Sequence, residues 1–174
     1  ISFTGGTDTG REIMRLAAGN LKNISLELGG KSPNIVFADA DFETALEYAL
    51  FAIFLNQGQV CSAGSRLLVE EAIYQPFMER LAERARQIRV GPGMDPKTEM
   101  GPLISGDHLQ DVLSYVQIGL EEGATLLCGG KRITERELAK GYFMEPTKFT
   151  ETHPNMRIVK EEIFGPVLVV QTFK

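Results

Sequence analysis

The sequence is poor in the side chains that hold metals and covalent cross-links. Among 174 residues there are two cysteines, Cys61 and Cys128, and two histidines, His108 and His153. All four stand too far apart for the C-x₂-C or H-x₃-H spacing of a zinc site, so no metal centre is expected. Two cysteines are also too few for a disulfide framework, which points to a reducing, cytoplasmic setting. Basic charge is scarce as well. With 18 Lys and Arg against 23 Asp and Glu, the formal net charge is −5, and a nucleic-acid partner is not expected of such a chain. No apolar run reaches the roughly 18 residues of a membrane-spanning helix, and no secretory leader pattern occurs.

What remains is the composition of a globular protein, 43% hydrophobic and 24% charged, with enough apolar surface for a substantial core. The chain opens on "ISFTGG" and closes on "PVLVVQTFK", both strand-like. Domain ends are normally polar and exposed, so the chain reads as part of a longer protein.

Helical and strand-like segments alternate, which places the fold in the α/β class. Ile1 to Thr4 is a strand, Gly5, Gly6 and Gly10 form a turn, and Arg11 to Ala18 has helical spacing. "ISLELGG" from Ile24 is a second strand, giving a β-α-β unit whose tight turn can offer helix N–H groups to an anion. "PNIVF" is a third strand. Asp41 is placed to cap a helix with Phe42, Ala45, Leu46, Ala49, Leu50, Ile53 and Phe54 on one face. The later part of that helix, "YALFAIFL", is apolar nearly all round and implies burial on every side. "RLLVE" is a strand, Tyr74 to Ile88 an amphipathic helix, and "GPGMDPKTEMGPL" a loop. Ser105 caps another helix that stops near Gly123, and "ATLLCGG" and "LVVQTF" are strands.

Cys61 lies in "NQGQVCSAGSR", among small and amide-bearing residues rather than the apolar neighbours of a core cysteine. That setting suits a nucleophilic thiol served by backbone N–H groups, while a packing role stays open on residue type alone. Cys128, after "TLL" in a strand, reads as structural. His108 and His153 lack any accompanying motif and read as surface residues. Glu27, in "LELGGKSPN", sits between Leu26 and Leu28. If buried, it would have a raised pKa and serve as a general base; if strand alternation turns it outward, it is a solvent-facing carboxylate. The residues by themselves leave both readings standing.

With these segments in view, the chain resembles the NAD(P)-dependent aldehyde dehydrogenase superfamily. "LELGGKS", "NQGQVCSAGSR" and "EEIFGP" occur in that family's order, and "FTGGTDTGR" resembles its Gly-rich turn. The wider wording, including "VCSAGSRLLVE" and "MRIVKEEIFGPV", is most similar to the branch that acts on betaine aldehyde. The resemblance implies a three-layer α/β catalytic domain over residues 29–174, preceded by the edge of a Rossmann-like cofactor domain over residues 1–28. It implies oxidation of an aldehyde to a carboxylic acid, with Cys61 as nucleophile and Glu27 as the base that activates water. NAD, ahead of NADP, is the implied cofactor. Gly5, Gly6, Leu28, Gly29, Glu162 and Phe164 would lie on its binding surface, with Glu162 at the nicotinamide ribose. The family usually has Ser where Gly6 stands, so backbone contact must serve there. Asn56, Gly58 and Gln59 would shape the cysteine loop, and Lys31 is implied to be structural. The full-length protein would be a homo-oligomer, dimer or tetramer, taking a small-molecule aldehyde. The 174 residues alone would be nearly inert, because the family's oxyanion asparagine and most of its cofactor surface lie outside them. Two other classes compete with this reading: a cysteine hydrolase that needs no cofactor, and a non-enzymatic relative that keeps the fold.

Overall fold

A computed structural model describes residues 1–174. The chain divides into two compact units, Ile1–Gly30 and Lys31–Lys174. The first is the β-α-β unit. Strands β1 (Ser2–Gly5) and β2 (Ser25–Leu28) pair in parallel, Ser2 against Ser25 and Gly5 against Leu28. Helix α1 (Thr7–Ala17) connects them through a 3₁₀ turn at Ala18–Asn20. The helix starts four residues earlier than the sequence suggests, and Gly10 lies inside it rather than in the turn. The reason is packing. A Cβ at Gly10 would stand 2.8 Å from Leu28 Cδ2, so glycine there lets the helix approach β2, which a turn residue would not do.

The second unit is built on a five-stranded sheet with the order β3-β4-β7-β6-β5. Strands β3 (Pro33–Val36), β4 (Arg66–Glu70), β6 (Thr147–Thr150) and β7 (Val167–Phe173) run parallel, and β5 (Thr125–Cys128) pairs antiparallel to β6. Parallel strands need crossovers, and helices supply most of them. Helices α2 (Phe42–Phe54) and α3 (Glu71–Arg86) cover one face; α4 (Gly106–Glu121) and the single turn α5 (Arg157–Lys160) cover the other. In β7, Leu168 and Val170 belong to the first core while Val167 and Val169 belong to the second. A strand covered on both faces must be apolar at every position, which explains the run "VLVV". The expected three-layer α/β arrangement is therefore present.

The caps are those expected. Asp41 Oδ1 accepts the Thr44 N–H at 2.9 Å, and Ser105 Oγ accepts that of His108 at 3.1 Å. Gly123 ends α4 at a φ of 91°. Helix α3 begins at Glu71, three residues before the apolar spacing sets in, and Pro76 lies inside its second turn, where it offers no N–H to the Ala72 carbonyl. The expectation of burial all round α2 fails. Leu46, Ala49, Leu50 and Ile53 are buried, but Tyr48, Phe51 and Leu55 are at least half exposed. The helix packs by one side only, and the Tyr48 and Phe51 rings shelter each other edge-on at 6.5 Å. No helix is long and apolar enough to cross a membrane.

Strand β6 carries almost no sequence signal, since "TKFT" is three parts polar, yet every residue in it is buried. Its polar atoms find partners. Thr147 Oγ1 donates to Glu145 O and accepts from the Gly130 N–H, and Lys148 Nζ donates to the Leu81 carbonyl. Burial holds the Lys148 pKa down to about 8 from an ordinary 10.5. Between those values the unfolded chain keeps a proton that the folded chain has released, so stability should rise as pH rises through the window. We expect the thermal midpoint to change with a less positive pH slope between pH 8 and 10.5 in Lys148→Met than in the unmodified protein. An identical pH slope in the variant would show that Lys148 is not a buried titrating group.

Candidate active site

Parallel register gathers the site. Arg66 pairs with Pro33 on one side and Val169 on the other, so the segments that lead into β3, β4 and β7 lie at the same end of the sheet. These segments carry Lys31, Cys61, Glu162 and Phe164. In open α/β sheets ligands usually sit beyond the carboxyl ends of strands; here the candidate residues collect at the amino ends.

Helix α2 ends at Phe54, and a 3₁₀ stretch covers Leu55–Gly58. Inside it Asn56, Gln57 and Gly58 take φ values of 49°, 59° and 70°, three left-handed residues in succession. Two of them have a Cβ, which costs roughly 1–2 kcal/mol each in that region. Side-chain amides hold the run in place. Asn56 Nδ2 donates to Gln59 O at 3.0 Å, and Gln59 Oε1 accepts the Ile104 N–H at 3.0 Å. The Gln57 amide, oriented by its partners, accepts the Gly101 N–H at 2.9 Å. Gly58 meets two demands at once: positive φ, and backbone contact with Gly165, whose carbonyl a Cβ would strike. The left-handed turn thus brings the cysteine loop against the loop that carries Phe164.

Cys61 follows this turn and is exposed. Neither its N–H nor that of Ser62 is used in a hydrogen bond within the chain. The next residues return to the scaffold: the Gly64 N–H donates to Ala52 O at 3.0 Å, and β4 begins at Arg66. The loop therefore presents a free thiol and two free donors on a rigid support, the requirements for a nucleophile that generates an oxyanion. Cys128 is the contrast. It is half-buried, and burial pushes its thiol pKa up.

Three buried polar atoms at this end of the sheet have no hydrogen-bond partner: Lys31 Nζ, Arg66 Nε and Glu162 Oε1. Native interiors seldom leave such atoms unsatisfied, and clusters of them call for a ligand or solvent. Burial first and the Arg66 charge second lower the Lys31 pKa to about 8, against the opposing pull of Glu162. Lys31 therefore belongs electrostatically with Glu162, which sequence reasoning did not see. Phe164 is 40% exposed, with φ at 56°. His108 keeps part of the surface exposure expected of it but has a partner that the sequence did not indicate. It is half-buried, and its Nε2 lies 2.7 Å from the Phe164 carbonyl oxygen. His153 is exposed, its Nδ1 accepting the Asn155 N–H at 3.3 Å.

The remaining sequence-derived residues lie in the first unit. Glu27 pairs with Thr4 in register and is exposed, so burial between Leu26 and Leu28 does not occur within this chain. Alternation turns the leucines to the other face, where Leu28 meets Gly10. Gly5 ends β1 and Gly6 is the N-cap of α1, contributing no side-chain hydrogen bond there. A Cβ at Gly5 would strike the Phe3 ring at 2.6 Å, whereas one at Gly6 would meet nothing within 4 Å. Gly6 is open, with the first amides of a helix behind it. Gly29 follows β2 and is half-buried. No group of three or more metal-ligating side chains occurs in either unit.

The thiols give a direct check. Cys61 should be carboxamidomethylated by iodoacetamide at neutral pH at least about tenfold faster than Cys128, as read by peptide mass spectrometry. Equal rates would mean that the loop does not hold Cys61 open.

Comparison with known proteins places these features in context. The family model described as the aldehyde dehydrogenase family matches residues 1–174. Betaine aldehyde dehydrogenase of Bacillus subtilis (strain 168) is 59% identical over 173 residues, covering 99% of this chain and 35% of that protein. Human retinal dehydrogenase 2 is 51% identical over 175 residues, or 100% of this chain and 33% of the relative. The chain thus spans about a third of the length of the curated relatives it matches. The crystal structure of betaine aldehyde dehydrogenase from Staphylococcus aureus in complex with NAD+ superposes with a TM-score of 0.98 at 51% identity, over 99% of this chain and 34% of that one.

Proposed function

Because the chain belongs to the aldehyde dehydrogenase family, we propose that it supplies the nucleophile, the general base and part of the nicotinamide side of an NAD+-dependent aldehyde-oxidising site. The observation that carries this reading is Cys61, exposed beside two unused amides and held by a left-handed turn against the Phe164–Gly165 segment.

The Cys61 thiolate adds to the aldehyde carbon, forming a C–S bond and an oxyanion. The Cys61 N–H is one donor to that oxyanion; a single donor of this kind is worth about 10²–10³ in rate. NAD+, when bound, supplies the two-electron acceptor that takes hydride from this carbon and leaves a thioester on Cys61. Glu27 removes a proton from water, hydroxide adds to the thioester carbonyl, and the C–S bond breaks to return thiolate and release the carboxylic acid. Glu162 is assigned to the ribose hydroxyls. Its buried, unpartnered Oε1 fits an acceptor completed by ligand donors. Phe164, exposed on one side, is assigned to the nicotinamide, and the open Gly6 with the Gly5 backbone to the pyrophosphate. Leu28 and Gly29 border the nicotinamide.

In this reading residues 1–28 are the edge of a cofactor domain and residues 29–174 a catalytic domain. Betaine aldehyde is the substrate favoured by the Bacillus subtilis and Staphylococcus aureus relatives, and NAD+ the cofactor favoured by the latter's crystal structure. A homo-oligomer in a reducing compartment completes it, the compartment resting on there being only two cysteines in 174 residues.

In the intact enzyme, Cys61→Ala should lower aldehyde-dependent NADH formation by on the order of 10⁴-fold or more; near-normal turnover would end the assignment. Glu27→Gln should still release a burst of NADH, one equivalent per site, followed by a slow steady state. Multiple-turnover rates equal to those of the unmodified enzyme at neutral pH would remove Glu27 from the role of base.

A further inference from the structure

One face of α4 grips the turn that carries Glu162 and Phe164. His108, Val112 and Tyr115 follow the i, i+4, i+7 spacing that aligns side chains along a helix. The Tyr115 hydroxyl donates to Glu161 Oε2 at 2.8 Å. Val112 closes on Gly165, where a Cβ would stand 2.7 Å from its Cγ2. His108 Nε2 meets the Phe164 carbonyl at 2.7 Å, and the two rings lie edge to face with centroids 6.1 Å apart. Glu162 and Ile163 are thus bracketed by contacts from a single helix. Tyr115 and Val112 fit a purely structural account, being a half-buried phenol and a core residue. A histidine at the third position does not, because an apolar side chain would fill that space without needing an acceptor.

We propose that His108 is a positioning residue for the nicotinamide side of the site, its Nε2–H holding the Phe164 peptide in its left-handed conformation. A carbonyl can only accept, so the proton belongs on Nε2, and the tautomer is assigned from that partner. The backbone that carries the donor is fixed. The His108 backbone N–H is tied to the Ser105 cap at 3.1 Å, and the helix behind it is anchored by buried Leu109, Val112 and Val116. What it holds needs holding. Phe164 is a bulky residue at a φ of 56°, a conformation that persists only when its surroundings impose it. Gly165 is confined between Val112 and Gly58, so its own position is set by packing, and the Phe164 carbonyl is held by a hydrogen bond. His108 is the one side chain bonded to that peptide's oxygen. Its loss should reorient the Phe164 ring and the Glu162 carboxylate together, while Cys61 keeps its own supports at Gln59 and Gly64.

The inference rests on the reading of Glu162 and Phe164 as cofactor-binding residues, and its test separates the two. In the intact enzyme, His108→Ala and His108→Phe should raise the KM for NAD+ by about three- to tenfold, the worth of one net hydrogen bond. The KM for aldehyde should stay within about twofold. His108→Gln, whose amide nitrogen can reach the same carbonyl, should recover most of the NAD+ affinity. His108→Phe keeps the ring edge without the donor, so its agreement with His108→Ala isolates the hydrogen bond. Unchanged NAD+ binding in the Ala and Phe variants would overturn the inference alone. So would equal rises in both KM values accompanied by a lower thermal midpoint, which marks a general structural role. An unmodified enzyme that bound no NAD+ would remove the cofactor reading itself, and this inference with it.

Discussion

The meeting of Gly58 with the Gly165 carbonyl is the contact from which the site takes its shape. Two loops from distant parts of the chain can approach backbone to backbone only where neither carries a side chain at the junction. Gly58 satisfies that condition and supplies the positive φ as well. Everything on the cysteine side follows from it. Asn56 and Gln57 must enter the same left-handed turn, and their amides, with that of Gln59, supply the hydrogen bonds that hold it. Cys61 then emerges at the surface with its N–H unused. On the other side, Gly165 is pressed against α4, and Phe164 is left in a strained conformation facing outward.

The sheet explains why these loops are neighbours at all. β4 and β7 are adjacent and parallel, so the residues before each strand share one edge even though about a hundred positions separate them in sequence. Burial of β7 on both faces fixes its register, because a shift by one residue would exchange the two cores. That register places Glu162 and Phe164 beside the Cys61 loop, and the stability of the sheet is in this sense a condition of the chemistry.

Two lysines show how differently a buried charge can be used. Lys148 is enclosed in β6 with the Leu81 carbonyl as acceptor and lies among structural groups. Lys31 is nearly enclosed too, but it has no acceptor and its charged neighbours are Arg66 and Glu162. Burial lowers both pKa values to about 8. Only Lys31 lies at the end of the sheet where the candidate site is found.

The sequence by itself determined the α/β class, the caps at Asp41 and Ser105, most strands, and the thiol in its polar loop. These are local properties: periodicity, cap chemistry and turn residues act within a few positions of one another. It also pointed to Glu162 and Phe164, through motif resemblance rather than through any physical signal. Only the tertiary structure decided that Gly10 is a packing residue, that "TKFT" is a buried strand and that one side of α2 is open. It alone turned Glu27 outward on its strand and His108 onto the Phe164 carbonyl. Each of these depends on what lies opposite the residue, and a polar side chain near a distant carbonyl looks the same in sequence as one in water.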